Sequence, residues 1–260
     1  MESLNSSLYR HLEKVKTVLP NWETHLIGVF LYGSQNYNVH TKNSDVDTKA
    51  IYVPTLEQLT FGDNTKSQTL TLENNEHCEL MTISHFVNNV LKQNVNFVEV
   101  IFTDYFWLNP KWEKQWKLMI QPKEAIARYD VKKAVLSICG QALHTLKQYD
   151  IASDSKKIAN ALRMEHFLYR YTNGRFKYMD CISFSNDSAL RNSILKLKQH
   201  EIPFEHCQVI AETSKEIFEQ YRETYLAEVD SPNIIVENWL HEQTQKIILK
   251  GINEYENKKF

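Results

Sequence analysis

The chain has 260 residues, of which 42% are hydrophobic and 24% are charged, and its formal net charge is −2. A chain of this length can bury a large core in one or two domains, and the near-neutral charge excludes a bulk attraction to polyanions. The four cysteines are scattered and form no C-x-x-C pair, which predicts reduced thiols. The sequence has no recognisable export leader and no stretch of membrane-spanning length, so we expect a cytoplasmic protein without membrane contact.

The first half of the chain is predicted to be one helix followed mainly by strands. Apolar residues at helical spacing indicate an opening helix from Leu4 to Leu19, which stops at Pro20. A second helix is indicated from Phe86 to Leu91. β-rich runs predict strands at 26–32, 46–53, 68–73, 77–82 and 97–102. The third and fourth of these form a hairpin through an Asn-Asn turn.

The second half is predicted to be helical. Residues 107–122 are rich in Trp and bounded by Pro, which indicates a hinge. Helical patterns follow near 123–149, 154–173, 186–199, 205–228 and 234–256. We therefore expect an α+β fold, with a mixed-sheet domain at 1–108, a linker at 109–122 and a helical domain at 123–260.

The most informative motif is a buried strand, Leu26–Tyr32, that ends in Gly33-Ser34 and is followed after ten residues by Asp45-Val46-Asp47. Strand side chains alternate between faces, so the two aspartates point the same way, with backbones about 6–7 Å apart. Two like charges on one face repel each other unless a cation lies between them. Hard carboxylate oxygens favour Mg²⁺ or Mn²⁺.

The Gly-Ser turn suggests a second ligand beside that metal. Gly33 lets the backbone turn closely and expose its amide, and the Ser34 hydroxyl adds a donor, so a phosphate can lie next to the cation. Together the turn and the two aspartates predict triphosphate chemistry.

These residues resemble the DNA polymerase β-like nucleotidyltransferases, whose signature is hydrophobic-Gly-Ser, a gap of about ten residues and Asp-hydrophobic-Asp. The surrounding sequence is most similar to a branch associated with RNA repair and RNA ligases. The likeness rests on 44–54, on the strand His77–Met81 running into 83–86, and more weakly on 137–142 and 156–163. It spans roughly residues 26–175.

The resemblance implies transfer of a nucleoside monophosphate from an NTP to an acceptor hydroxyl with Mg²⁺ or Mn²⁺. It implies that Asp45, Asp47 and Glu79 are the catalytic, metal-binding carboxylates. The implied nucleotide-binding residues are Gly33, Ser34, Ser44, Lys49, Lys156, Lys157 and Arg163. The branch often has Arg-Gly where this chain has Lys49-Ala50, and an ammonium group cannot reproduce the two-pronged contact of a guanidinium.

A basic stretch in the helical half bears on the acceptor. Residues 156–198 contain nine Lys or Arg against three acids, interleaved with Phe167, Tyr169, Tyr171, Phe176, Tyr178 and Phe184. This composition suits phosphate contacts with base stacking and favours RNA, although the same aromatics could form a core under a solvated face. An RNA 3′ end, with tRNA as one candidate, is the expected acceptor. A protein hydroxyl (as in antitoxin-type nucleotidyltransferases), a small molecule, or a non-catalytic nucleotide-binding module are the alternatives.

Other chemistries lack their patterns. The sequence contains no P-loop and no G-x-S-x-G elbow. His77 and His85 lack paired cysteines or a third ligand nearby, which argues against zinc. No Arg is followed four to six residues later by His, the pattern of the helical nucleases that accompany some nucleotidyltransferases.

Overall fold

The computed structural model describes residues 4–42, 44–61, 67–73, 75–147 and 155–256. It confirms the α+β class, with a five-stranded mixed sheet in the first half and helices in the second. The strands are β1 (Leu26–Tyr32), β2 (Asp47–Tyr52), β3 (Gln68–Thr71), β4 (His77–Thr82) and β5 (Phe106–Leu108). Their order across the sheet is β3-β4-β2-β1-β5.

The register of the central strands decides which polar side chains meet. β2 runs parallel to β4, whereas β1 is antiparallel to both β2 and β5. Asp47 lies opposite Tyr32 on one side and His77 on the other, and Lys49 lies opposite Glu79. Because positions two apart in a strand share a face, these five side chains lie on the same face of the sheet.

Thirteen α-helices lie in the described ranges, together with a short 3₁₀ turn at Glu99–Ile101. Those of the first half are α1 (Leu4–Val18), α2 (Trp22–His25), α3 (Leu56–Phe61), α4 (Ile83–Leu91), α5 (Val95–Val98) and α6 (Glu113–Met119). Those of the second half are α7 (Lys123–Ala127), α8 (Val131–Lys147), α9 (Ser155–Asn173), α10 (Tyr178–Ile182), α11 (Ala189–Lys198), α12 (Phe204–Ala227) and α13 (Ile234–Glu256). None of them is long and apolar enough to cross a membrane.

The sheet separates two hydrophobic clusters. Helix α1 covers one face through Leu8, Leu12 and Val15, and its buried His11 bonds to Thr48 at 2.7 Å. The other face joins a larger cluster that continues into the helices of the second half. The alternation of strand side chains produces this division, and it leaves the polar ends of β1 and β2 facing the helical half.

The β-rich run 97–102 was predicted to be a strand, and that prediction is wrong. Helix α5 and the 3₁₀ turn occupy it, because the Asn94 side chain accepts from the Asn96 amide at 3.1 Å and starts a helical turn. Apolar residues such as Val98 and Ile101 are buried whether the segment is a strand or a helix, so hydrophobicity alone could not distinguish the two conformations.

The Trp-rich segment is tightly packed. It contains the edge strand β5 and helix α6, and its Trp112 and Trp116 are buried. Trp116 stacks on Phe30 of β1 with ring centroids 4.5 Å apart. The hydrophobic core therefore continues through the predicted linker, and the division into domains 1–108 and 123–260 stays a prediction.

The predicted helix 123–149 is divided into α7 and α8. The Asp130 side chain accepts from the Lys133 amide at 2.9 Å and caps the start of α8. Residues 148–149 and 154, at the ends of two predicted helices, lie outside the described residues.

Candidate functional site

The Gly-Ser turn continues directly from β1. Gly33 has φ of 90°, a left-handed conformation that other residues adopt only with strain. The Asn36 amide donates to the Gly33 carbonyl at 3.0 Å, and the Val39 amide donates to the Ser34 carbonyl at 3.1 Å. This turn, residues 33–39, places Ser34 between two adjoining cavities.

The inner cavity has a volume of about 360 Å³ and the outer cavity about 770 Å³. Ser34, Lys156 and Lys198 line both. Predicted site residues that line only the inner cavity are Gly33, Lys157 and Arg163, and those that line only the outer cavity are Ser44, Asp45 and Asp47. The tertiary structure thus brings eight of the ten predicted residues around one continuous space.

The acidic end of this space lies at the start of β2. Asp45 is exposed, and Asp47 is partly buried with its Oδ1 3.8 Å from His77 Nδ1. Burial raises the pKa of Asp47 and the Asp45 carboxylate adds to the effect, whereas His77 and Lys49 oppose it. An acidic pair at the edge of this cavity has the oxygen donors that a divalent cation prefers.

Ser44 has a structural role next to this pair. Its Oγ accepts from the Thr41 amide at 2.8 Å and closes the turn that leads into β2. It lines the outer cavity from that position, so capping the turn and facing the ligand space are compatible.

Glu79 and Lys49 do not join the other predicted residues. Lys49 is buried between the rings of Tyr32 and Phe97, 4.1 and 4.2 Å from their centroids, and it forms an ion pair with Glu79. Lys49 does not line either cavity, and its contact with the nucleotide stays a prediction. Within the described ranges, no three His, Cys, Asp or Glu side chains are grouped to hold a metal. Asp45 and Asp47 fit the expected cation, whereas Glu79 is already neutralised by Lys49.

Cationic side chains line both cavities. Lys156 and Arg163 come from α9 and Lys198 from α11. Lys198 Nζ donates to the Val39 carbonyl at 2.8 Å, and burial, followed by the nearby Arg163 and Lys156 charges, lowers its pKa to about 8. Three cations, Lys156, Arg163 and Lys198, thus converge on the inner cavity.

Lys198 was expected to belong to an RNA-binding face well away from the triphosphate. The packing of α11 against α9 instead turns Lys198 into both cavities, beside the predicted nucleotide-binding residues Ser34 and Lys156. No local pattern in the sequence distinguishes it from the exposed Lys196 two residues earlier.

The aromatic residues of the basic stretch are mostly core. Phe167, Tyr171, Tyr178 and Phe184 are buried, and of the six only Tyr169 is largely exposed. Four of the six therefore cannot stack on bases, and the alternative of an aromatic core under charged residues is confirmed for them.

Glu99 is the site residue that the sequence analysis missed. It is fully buried, and its carboxylate accepts from the Tyr37 hydroxyl at 2.6 Å and from the Gly33 amide at 3.3 Å to each oxygen. Burial raises the pKa of Glu99 to about 7 against these hydrogen bonds and the Arg163 charge. The Gly33 amide is thus engaged within the protein, and its role as a phosphate donor stays a prediction. A lone acid in the apolar run 97–101 was the available signal, since a buried charge needs partners.

Comparisons with known proteins add little. No protein-family profile and no curated protein matches the sequence. Among solved structures, the fold is similar to a nucleotidyltransferase-like protein from Exiguobacterium sibiricum, with 10% identity and a TM-score of 0.32. The match covers 82% of this chain and 77% of the other. A similarity at this level assigns neither a family nor a function.

Proposed function

We propose that this protein is a nucleotidyltransferase that moves a nucleoside monophosphate from an NTP to an acceptor hydroxyl. One observation carries the proposal: Asp45, Asp47, Lys156 and Lys198 all line the outer cavity, so an acidic pair and cationic side chains face the same space. A metal–nucleoside triphosphate complex has the complementary arrangement, with a cation at one end and negative oxygens along its length.

The chain's own residues would bind and orient the substrate. Lys156, Arg163 and Lys198 would neutralise the β- and γ-phosphates, and the Ser34 hydroxyl would donate to a phosphate oxygen between the cavities. Asp45 and Asp47 would hold Mg²⁺ or Mn²⁺. A divalent ion bound there supplies charge neutralisation at the phosphates and lowers the pKa of the attacking hydroxyl.

The reaction is an in-line exchange at the α-phosphorus. The acceptor oxygen forms a bond to that phosphorus, the bond to the bridging oxygen breaks, and pyrophosphate leaves. The acceptor proton passes to solvent through the outer cavity, where Asp45 is exposed. Positioning and charge neutralisation supply most of the rate in such a step.

For the acceptor we propose an RNA 3′ end, with tRNA as one candidate. The outer cavity is the larger of the two, and exposed Lys42, Lys156 and His200 are among the residues that line it. These groups suit a phosphodiester strand that reaches the acidic pair from outside. A protein hydroxyl or a small molecule would use the same acidic pair and is an outcome of the test below.

A second candidate is a nucleotide-binding module without catalysis. The Lys49–Glu79 ion pair favours it, because the carboxylate expected to complete the metal site has an internal counter-charge. Such a module would retain the cationic cavity and bind NTPs without transferring them.

The experiment supplies each α-³²P-labelled NTP, Mg²⁺ and total RNA to the purified protein, with Asp47→Asn as the inactive reference. Label that enters RNA only with unmodified Asp47 supports the full proposal. Label in protein or in a small molecule keeps the reaction and replaces the acceptor. Saturable NTP binding without transfer supports the module, and the absence of both binding and transfer overturns the proposed function.

A further inference from the structure

We propose that Glu99 is a positioning residue that holds both the Gly33–Ser34 turn and Arg163 in the geometry that binds the polyphosphate. The inference rests on the proposed function and adds to it a residue that does not itself line either cavity.

The first set of contacts leads from Glu99 to Ser34. Both carboxylate oxygens accept from the Gly33 amide, and the Asn36 side chain approaches Oε2 at 3.4 Å. Asn36 is itself bound to the Leu31 carbonyl at 3.1 Å and to the Thr103 hydroxyl at 2.9 Å. A backbone at φ of 90° keeps one orientation only where its surroundings determine it. Glu99 thus determines where the next residue, Ser34, faces.

The second set of contacts leads from Glu99 to Arg163. The Tyr37 hydroxyl donates to Glu99 Oε1, which orients the phenol ring in the core. The Arg163 guanidinium lies over that ring at 4.2 Å, and its Nε and Nη2 both donate to Asn160 Oδ1, at 3.1 and 2.8 Å. Arg163 and Tyr37 both line the inner cavity. Because the guanidinium lies over the phenol ring, the position of that ring sets the position of the guanidinium.

The surroundings of Glu99 favour positioning over direct contact with a ligand. The residue is fully buried and is absent from the lining of both cavities. The ionisable groups that face it are Tyr32 from β1, Tyr37 from the turn, Arg163 from α9 and Tyr178 from α10. Arg163 is the cation among them. The Glu99 carboxylate therefore holds Ser34 in place on one side of the inner cavity and balances the charge of Arg163 on the other.

The test uses Glu99→Gln and Tyr37→Phe. A glutamine cannot accept from all three donors, because its amide nitrogen presents hydrogens to them. Tyr37→Phe keeps the ring under Arg163 and removes only the bond to Glu99. The matched control is Glu76→Gln, which alters another buried glutamate, bonded to Arg10 at 2.6 Å and to His11 at 3.0 Å and absent from the lining of both cavities.

Two readouts separate positioning from general stability. The first is calorimetric affinity for inorganic tripolyphosphate with Mg²⁺, a probe that needs no knowledge of the preferred base. The second is amide hydrogen exchange of residues 33–39, compared with that of α12. We expect Glu99→Gln to bind about tenfold or more weakly, the size of one lost charge-assisted hydrogen bond. Exchange should rise in the turn and stay unchanged in α12, and Tyr37→Phe should show a smaller change in the same direction.

Glu76→Gln should bind tripolyphosphate as the unmodified protein does. Affinity of Glu99→Gln within twofold of the unmodified protein overturns the inference, as does an equal loss in Glu76→Gln. If Glu99→Gln does not fold, an unchanged tripolyphosphate affinity in Tyr37→Phe overturns the inference. Failure of the proposed function gives a different result. If the unmodified protein binds neither tripolyphosphate nor NTP, both the proposed function and this inference are overturned. If it binds them without transferring a nucleotide, only the proposed reaction is overturned.

Discussion

Lys49 and Glu79 form an ion pair across the parallel β2–β4 register, with the Lys49 ammonium held between two aromatic rings. The carboxylate expected to be a third metal ligand thus has a permanent partner within the sheet. Glu79 lies on the same face of the sheet as Asp47, two residues farther along the paired strands. It is therefore near the proposed metal site but is not part of it.

This relationship predicts that Glu79→Gln lowers the free energy of unfolding by about 3 kcal/mol in buffer with EDTA, because it leaves Lys49 buried without a counter-charge. A Glu79 that served only as a metal ligand would give the opposite result, since removing a carboxylate from an empty acidic cluster relieves repulsion. Urea denaturation measures the difference. The double variant Lys49→Met/Glu79→Gln is the control and should recover most of the lost stability.

Asp45→Asn and Asp47→Asn are each expected to abolish nucleotidyl transfer while the melting temperature holds or rises. Burial and the Asp45 charge already disfavour ionised Asp47, so neutralising either residue removes repulsion from the metal-free protein. Transfer assays and thermal melts measure the two effects. Glu242→Gln, at an exposed α13 position paired with Lys246, is the control and should transfer normally. Full activity in either aspartate variant would refute the metal assignment.

Lys198→Ala should weaken tripolyphosphate binding about tenfold, whereas Lys196→Ala should leave it unchanged. Both lysines lie on α11, but only Lys198 lines the cavities, and a charge-assisted hydrogen bond contributes roughly this much. Because the pKa of Lys198 is lowered to about 8, affinity should fall as pH rises above that value, when the ammonium loses its proton. Calorimetry across this pH range measures the inflection, which should be absent in Lys198→Arg. Equal effects of the two alanine variants would contradict the placement of the cationic cluster.

Glu99 should make the protein less stable as pH rises from about 4.3 to about 7. The unfolded chain releases this proton near the first value and the folded protein near the second, so folding takes up a proton between them. The free energy of unfolding should therefore fall across this window by on the order of 3 kcal/mol from this residue. Denaturation of the unmodified protein and of Glu99→Gln over the same pH series isolates the effect, because the histidines titrate alike in both. Parallel pH profiles would show that Glu99 is ionised throughout.

If the acceptor is RNA, affinity for single-stranded RNA should fall with salt by a slope of about −0.7 for each phosphate contact. Lys196→Glu should flatten that slope without changing tripolyphosphate affinity, since Lys196 is exposed and lies outside both cavities. Filter binding over a salt series measures it. RNA binding that is undetectable or independent of salt would remove RNA as the acceptor and leave the transfer chemistry in place.

The sequence by itself determined the features that depend on short spacings. The β-rich runs 26–32 and 46–53 sufficed to predict β1 and β2, and the Gly33-Ser34 pair marked the turn, because β-propensity and left-handed turns are local properties. The Asp-x-Asp spacing identified Asp45 and Asp47, which both line the outer cavity. Periodicity also located most of the long helices, including α12 and α13, to within a few residues.

Only the tertiary structure decided which partners these residues meet. Glu79 faces Lys49 because β4 lies beside β2 in parallel register, and no pattern within either strand specifies that neighbour. Lys198 reaches the cavity through the packing of α11 on α9, and Glu99 reaches Gly33 from 66 residues away. Burial forces such contacts, because a charge removed from water must find donors or a counter-charge wherever the fold places them. Sequence spacing thus determined the acidic pair and the turn, while the long-range packing of buried charges determined the geometry of the site around them.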